Sequence, residues 1–387
     1  MIDVNKLKED FLGLYGTGIE ETLLFFAPGR INLIGEHTDY NGGFVFPCAL
    51  SFGTYLFIRP NTDSIARFAS TNFSFRTELG MGELSHKQGD EWINYPLGVM
   101  DQFARRGFAM QGFDMLFSGD IPNGAGLSSS ASIEMVTAVA LDDLLHAGLD
   151  RVELVKMGRA AENEFVGMNC GIMDQFIIGM GKAESAIALN CRTLEYQHVP
   201  LLLGEYRIVV ANTNKRRELA ASKYNERVTE CDSALESLRK AKPMQDLSDM
   251  SVVEFSQHSH LIADKTIRQR ARHVISENHR VLAAIEALRE QDLVSLGMLM
   301  NQSHISLKDD YEVTGFELDT IVNEAWHTEG VLGARMTGAG FGGCSVNIVN
   351  KDKIETFIAS VGANYKKKTG LTADFYVASV GNGAGKV

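Results

Sequence analysis

A strand-like run at 113–118 feeds almost directly into Pro122-Asn-Gly-Ala-Gly-Leu-Ser-Ser-Ser-Ala-Ser132. From Ser128 the chain turns helical, with Ile133, Val136, Ala140 and Leu144 recurring at three- and four-residue spacing. Strand, glycine turn and helix start in one short stretch make this the most informative local segment. Gly124 and Gly126 let the backbone approach a ligand closely, Ser128, Ser129 and Ser130 offer hydroxyls, and the helix start presents unpaired N–H groups at a positive dipole end. Those are the parts of a phosphate cradle, and equally those of a serine-capped helix after a glycine turn. GxxxxGK[ST] occurs nowhere in the chain, which removes a Walker A loop, and no third glycine stands where a dinucleotide fingerprint needs it.

The surrounding pattern mixes strands and helices throughout. Runs at 43–50 and 55–59 read as strands and 92–106 as a helix; Gly148 supplies a helix stop, and Asp150 with Glu153 has capping-box spacing for a second helix with Val152, Val155 and Phe165 on its apolar side. Strands at 186–191 and 207–211 close the first half. The second half opens with a helix striped by Tyr224, Val228, Cys231, Leu235 and Leu238, continues with helices at 274–288 and 293–300, and ends in strands flanking 336–344 and at 374–380. The expectation is an α+β protein with helices on sheets, divided into 1–205 and 206–387, with its chemistry between the halves.

With 387 residues, 45% hydrophobic and 22% charged, the chain has the composition of an ordinary globular protein. A net charge of −12 is the wrong sign for wrapping nucleic acid or coating an acidic membrane. Cys48, Cys170, Cys191, Cys231 and Cys344 are odd in number, far apart and free of CxxC spacing, so they read as reduced thiols. The first sixteen residues lack signal-peptide order and no apolar run is long enough to span a bilayer, which makes the cytoplasm the expected location.

Three more segments carry polar chemistry. Met336-Thr-Gly-Ala-Gly-Phe-Gly-Gly-Cys344 matches GxGxxG at Gly338, Gly340 and Gly343, but a strand-like run follows where a dinucleotide site needs a helix, so it reads as a glycine hairpin. Ala27-Pro-Gly-Arg-Ile-Asn-Leu-Ile-Gly-Glu-His-Thr-Asp-Tyr-Asn-Gly-Gly43 crowds carboxylate, imidazole, hydroxyl and amide groups between glycines. Glu36 and Asp39 can each accept two sugar hydroxyls, although a self-capping surface loop has the same composition. In Asn169-Cys-Gly-Ile-Met-Asp-Gln175, Asp174 stands among apolar neighbours and needs a cationic or hydrogen-bonding partner, unless it caps a helix. Glu162 is either a solvated helix carboxylate or a hard oxygen ligand for Mg²⁺. The pair His258 and His260 lacks acidic or cysteine company and reads as surface histidines, and the basic runs at 215–217 and 366–368 read as solvated faces.

Taken in order, APGR, GEHTDYNGG, GAGLSSSAS, CGIMDQ, SKYNER and MTGAGFGGC resemble the motifs of the GHMP kinase superfamily, and the second narrows the resemblance to the galactokinase family; it spans residues 27 to 344. The resemblance implies an N-terminal domain like domain 2 of ribosomal protein S5, a C-terminal α/β sandwich-type domain, and an active site in the cleft between them. It implies galactose against Glu36, His37, Thr38, Asp39, Gly171, Asp174 and Tyr224. ATP phosphates would lie against Gly124, Ala125, Gly126, Leu127, Ser128, Ser129 and Ser130, and Mg²⁺ on Ser130 and Glu162. Asp174 would take the proton of the sugar 1-hydroxyl and Arg30 would hold Asp174 ionised and stabilise charge in transfer, giving galactose 1-phosphate and ADP, the entry step of galactose catabolism. A monomer is expected, with a homodimer as the alternative. Lys223 and Val228 depart from the commonest family pattern and alter the charge around their helix. The rival readings are an N-acetylgalactosamine kinase, with a wider pocket near the sugar 2-position, and a sensor that binds galactose and ATP without turnover.

Overall fold

The computed structural model of the chain describes residues 2–16, 22–122, 126–215 and 220–387, without the side chains of residues 220 and 221. Gly124 and Ala125 of the expected phosphate cradle, and Arg216 and Arg217 of the basic run, lie outside the described residues. The first half runs α1 (Val4–Tyr15), β1 (Leu23–Asn32), β2 (Phe44–Val45), β3 (Pro47–Asn61), β4 (Ile65–Ser70), β5 (Thr77–Gly80), α2 (Asn94–Arg105), β6 (Gly112–Gly119), α3 (Ser129–Leu144), α4 (Arg151–Ala160), α5 (Met173–Met180), β7 (Ser185–Asn190) and β8 (Tyr196–Pro200). The second runs β9 (Tyr206–Asn212), α6 (Ala220–Leu238), α7 (Val252–His258), α8 (Lys265–Arg289), α9 (Leu293–Asp309), α10 (Gly315–Trp326), β10 (Val331–Thr337), β11 (Cys344–Asn350), α11 (Ile354–Thr369), β12 (Asp374–Ala378) and β13 (Gly385–Lys386).

Side chains alternate across each strand, and this two-residue period sorts the core into layers. In the sheet β13-β1-β3-β6-β4-β5, Leu56 and Ile58 of β3 face the core shared with α2 to α5, whereas Phe57 between them faces Leu7 and Phe11 of α1. In the sheet β10-β11-β9-β12, Ile208 and Val210 pack toward Val281 of α8 and Leu296 of α9, while Val209 and Ala211 pack toward Ile321 of α10 and Phe357 of α11. The core under α8 also takes in Ile31, Leu33, Ile34 and Phe46 of the first half. The halves therefore share apolar packing, and β13 returns to pair Phe25 with Lys386 and Phe26 with Gly385 on β1.

Three departures from the sequence expectation have physical causes. The strands expected at 43–50 and 55–59 are the short β2 followed by one fifteen-residue strand, β3. Gly53 keeps β3 continuous, since a Cβ there would lie 2.0 Å from the Ala27 carbonyl oxygen of β1. The helix expected at 293–300 continues to Asp309, because Ser303, His304 and Ser306 are buried on hydrogen-bond partners and so break the apolar pattern without breaking the helix. The helix expected to run through Phe165 is regular only to Ala160 and closes with one π turn, Ala161–Val166, an irregularity often found at functional sites. Asp150 caps it by accepting from the Val152 N–H, a single bond where the spacing with Glu153 suggested a capping box. Among the described residues no helix is long and apolar enough to cross a membrane, and none of the five cysteines is in a disulfide.

Candidate active site

The pairing of β1 with β3 shifts register between Pro28 and Arg30, a bulge of the kind that re-aims a side chain. Arg30 is turned by it toward α5. Its Nε donates to Asp174 Oδ1 at 2.8 Å, its Nη2 to Asp174 Oδ2 at 2.7 Å, and its Nη1 to the Gly126 carbonyl at 2.8 Å. Burial opposes the Arg30 charge, yet Asp174 outweighs it and raises the guanidinium pKa. Asp174 is not a helix cap: Ile172 holds that position, and Asp174 stands in the first turn of α5 with both oxygens engaged. The Ser128 hydroxyl also donates to Asp174 Oδ2.

Ser128 precedes α3 in the left-handed conformation, φ 63°, ψ 49°, a costly backbone for a residue with a Cβ. The Leu127 carbonyl accepts from the Arg30 N–H at 3.1 Å, while the Leu127 side chain is in the core. The start of α3 has no side-chain cap among the described residues, so its first N–H groups face outward at the positive end of the helix.

A cavity of 390 Å³ opens beside Asp174, lined from the first half by Arg30, Glu36, His37, Asp39 and Gly171 and from the second by Tyr224, Gly338 and Ala339. Glu36 is 2% exposed; its Oε1 accepts from the Gly338 N–H at 2.7 Å and its Oε2 from Asn32 Nδ2 at 2.7 Å. His37 Nε2 lies 3.3 Å from the Ala339 carbonyl, so it carries the proton, and Nδ1 accepts from the Tyr40 hydroxyl at 2.9 Å. Burial lowers the His37 pKa to about 3, which keeps the ring neutral. Burial and then the Asp174 charge push Asp39 up to about 7. Gly171 admits Asp39, because a Cβ at 171 would lie 1.8 Å from Asp39 Oδ2. The Tyr224 ring packs 5.7 Å from His37 and 5.2 Å from Tyr40, and burial raises its pKa, leaving the hydroxyl a donor. Thr38 departs from the expected set. Its buried hydroxyl faces the Gly35 and Phe44 carbonyls at 2.9 and 2.7 Å, so it braces its own loop and is absent from the cavity wall.

On the other side of Ser128, the Ser130 hydroxyl bonds to Glu162, which the π turn carries inward. Gln175 Nε2 donates to Glu162 Oε2 at 2.6 Å and to Glu134 Oε2 at 2.9 Å. Burial and a neighbouring carboxylate raise the pKa of both glutamates, Asp174 acting on Glu162 and Glu162 on Glu134. A second cavity, 110 Å³, adjoins Ser129 and Ser130 and is walled by Phe73, Trp92, Tyr95 and Ile133, with Phe73 stacked on Trp92 at 6.0 Å. Sequence reasoning missed this aromatic pocket, as well as Glu134 and Arg335. The available signals were a lone acid in the otherwise apolar run of α3 and a lone arginine in a strand of small and apolar residues. His258 and His260 lie apart from the cavity, and among the described residues no cluster of three His, Cys, Asp or Glu could hold a metal ion.

Models of the GHMP kinase N-terminal and C-terminal domains match residues 94–182 and 284–367. With two sheet-and-helix halves and a polar cavity between them, this defines a GHMP kinase. The galactokinase galactose-binding signature matches residues 9–60, the span of β1 and the Glu36 loop. The chain is 53% identical to the galactokinase of Fusobacterium nucleatum over 94% of either chain, and 50% identical to that of Bacillus subtilis over 98% of each. The crystal structure of Lactococcus lactis galactokinase complexed with galactose superposes with a TM-score of 0.96 at 45% identity, over 99% of this chain and 100% of that one. A mevalonate kinase with a TM-score of 0.68 and 20% identity shares the fold. The chain belongs to the galactokinase family.

Proposed function

We propose that this protein transfers the γ-phosphoryl group of ATP to the 1-hydroxyl of galactose, giving galactose 1-phosphate and ADP. The observation that carries the reading is the position of Asp174. It lines the sugar-sized cavity and at the same time bonds Ser128 at the foot of the open α3 N-terminus, so one carboxylate touches both the acceptor site and the phosphate site. Asp174 takes the proton of the 1-hydroxyl as that oxygen attacks phosphorus. Arg30 orients Asp174 through two hydrogen bonds and places positive charge where the transferred group passes. Phosphoryl transfer is a loose process, so positioning and charge neutralisation supply most of the acceleration.

Glu36, Asp39, His37 and Tyr224 bond the sugar hydroxyls, with Gly171 giving Asp39 its place. The phosphates rest on Gly126 to Ser130 and the first N–H groups of α3, a natural anion site. The nucleobase stacks in the pocket of Phe73, Trp92 and Tyr95. The residues present fit Mg²⁺: Ser130 and Glu162 offer two adjoining hard oxygens, and the buried Oε1 atoms of Gln175 and Glu134 behind them have no hydrogen-bond partner among the described residues. Mg²⁺ is typically held by one or two protein oxygens together with substrate phosphates, and when bound it neutralises phosphate charge. We place the domain division between Pro200 and Tyr206, with β13 rejoining the first sheet, and we take the protein to be a cytoplasmic monomer, to be checked by light scattering of the purified protein.

The test is ADP release from the purified protein with Mg²⁺ and ATP, offered galactose, glucose and N-acetylgalactosamine in parallel, with Asp174→Asn as the blank. Turnover on galactose that vanishes in the blank supports reaction and base together. Absence of turnover on every sugar, with galactose still raising thermal stability, would point to a sensor.

A further inference from the structure

The Glu36 loop belongs to the first half, yet its backbone is held by a helix of the second. The Gly35 N–H donates to Glu277 Oε1 at 2.9 Å, and the Glu36 carbonyl accepts from His273 Nε2 at 3.1 Å. Glu277 and His273 are one turn apart on α8 and fully buried. We infer that His273 and Glu277 are positioning residues for the sugar, gripping the peptides on either side of Gly35–Glu36 so that the Glu36 carboxylate and the His37 ring point into the cavity. This inference rests on the sugar-binding role proposed above for Glu36 and His37.

Three observations support it. First, the loop conformation is one the chain would not hold unaided. Gly35 has φ +102°, and a Cβ there would meet Val281 Cγ2 of α8 at 2.8 Å and the Phe44 carbonyl oxygen at 2.9 Å; His37 has φ +63° despite its side chain. Second, the grip is itself braced. Glu277 Oε1 also accepts from Ser303 Oγ at 2.5 Å and its Oε2 from Arg280 Nε at 2.7 Å, while His273 Nδ1 lies 3.0 Å from Ser306 Oγ. Despite burial, the Arg280 guanidinium holds Glu277 down to about 2, and burial lowers His273 to about 4; the pair is thus an anion accepting an N–H and a neutral ring donating one. Third, the same half also holds the Glu36 side chain, through the Gly338 N–H and through Arg335 Nη1 at 3.4 Å, which bonds the Asn32 carbonyl at 3.0 Å as well. A buried carboxylate adds little to stability that well-packed apolar side chains could not supply, whereas directional bonds fix where a loop points.

The experiment compares His273→Leu, His273→Gln and Ser303→Ala with the parent, reading KM for galactose, KM for ATP, kcat, and the rise in melting temperature caused by galactose. His273→Leu leaves the Glu36 carbonyl unpaired and is expected to raise the galactose KM about tenfold and shrink the galactose-induced shift, with the ATP KM within about twofold. His273→Gln keeps an N–H donor at the Nε2 position and should restore most of the loss. Ser303→Ala loosens Glu277 alone and should move the galactose KM in the same direction by less. A folded His273→Leu with an unchanged galactose KM, or galactose and ATP KM rising in step, overturns the assignment. If His273→Leu does not fold, His273→Asn, whose shorter amide falls short of the carbonyl, is judged by the same criteria. A parent chain without turnover would count against the activity itself, and the positioning role would then be decided by the galactose-induced thermal shift alone.

Discussion

Arg30 and Asp174, 144 residues apart in sequence, meet as a two-pronged ion pair in which Nε faces Oδ1 and Nη2 faces Oδ2. The Arg30 side chain is 6% exposed and that of Asp174 28%, so the cation is fixed while the carboxylate keeps an open side toward the cavity. A carboxylate held this way is oriented without being hidden, since its partner comes from a bulged strand and not from the helix that carries it.

Asp174→Asn and Arg30→Ala are both expected to fold and to lose activity. Removing Arg30 leaves Asp174 bonded to Ser128 and partly hydrated, so the fold should survive, while kcat should fall by about 10³ or more. Thermal melting and steady-state kinetics on both variants decide it; near-normal turnover in either would sink the assigned roles.

Gly171→Ala should separate sugar recognition from nucleotide recognition. The new methyl group would occupy the place of Asp39 Oδ2 and displace that carboxylate, at the cavity wall and away from the core. The galactose KM is expected to rise about tenfold or more with the ATP KM little changed. Equal KM values for galactose in variant and parent would contradict the place given to Asp39.

Asp39 also leaves a signature in stability against pH. Its folded pKa, about 7, lies above the unfolded 3.8, so the folded state holds the proton more tightly. The stabilisation is complete below about pH 4 and is lost as pH rises through 7. Taken by itself, this contribution favours a higher melting temperature for the ligand-free protein at pH 5.5 than at pH 8. Glu134 and Glu162 tilt the curve the same way and the buried neutral rings of His37 and His273 tilt it the opposite way below about pH 6.5, so the diagnostic quantity is the melting temperature of the parent minus that of Asp39→Asn, which should fall between pH 5.5 and pH 8.

Phe73→Ala probes the proposed nucleobase pocket with little risk to the fold, because Phe73 is 40% exposed. Loss of one stacked ring should raise the ATP KM about fivefold or more and leave the galactose KM unaffected. The reverse pattern in the two KM values would remove this pocket from the nucleotide site.

Much of the site was legible in the sequence because its groups come in local clusters. Glu36, His37 and Asp39 lie within four residues, and the glycine–serine turn announces its helix. Arg335, His273 and Glu277 were not legible. They reach the Glu36 loop from another sheet and another helix, and local spacing carries no trace of which distant backbone a side chain will grip. Thr38 shows the opposite error: it sits inside the polar cluster, but strand and turn geometry direct its hydroxyl to its own loop. Helix α9 runs past its expected end at 300 for a related reason, since buried polar residues with partners look like solvent-facing ones in a hydrophobic pattern.

The pairing of β13 with β1 bears on how the protein is made. The edge of the sheet that carries Arg30 stays open during synthesis until the ribosome has released a strand encoded after the entire second half. Until then an unpaired strand edge is exposed to other nascent chains. Tags or deletions at residues 385–386 should therefore reduce the yield of folded protein, although neither residue lines the cavity beside Asp174.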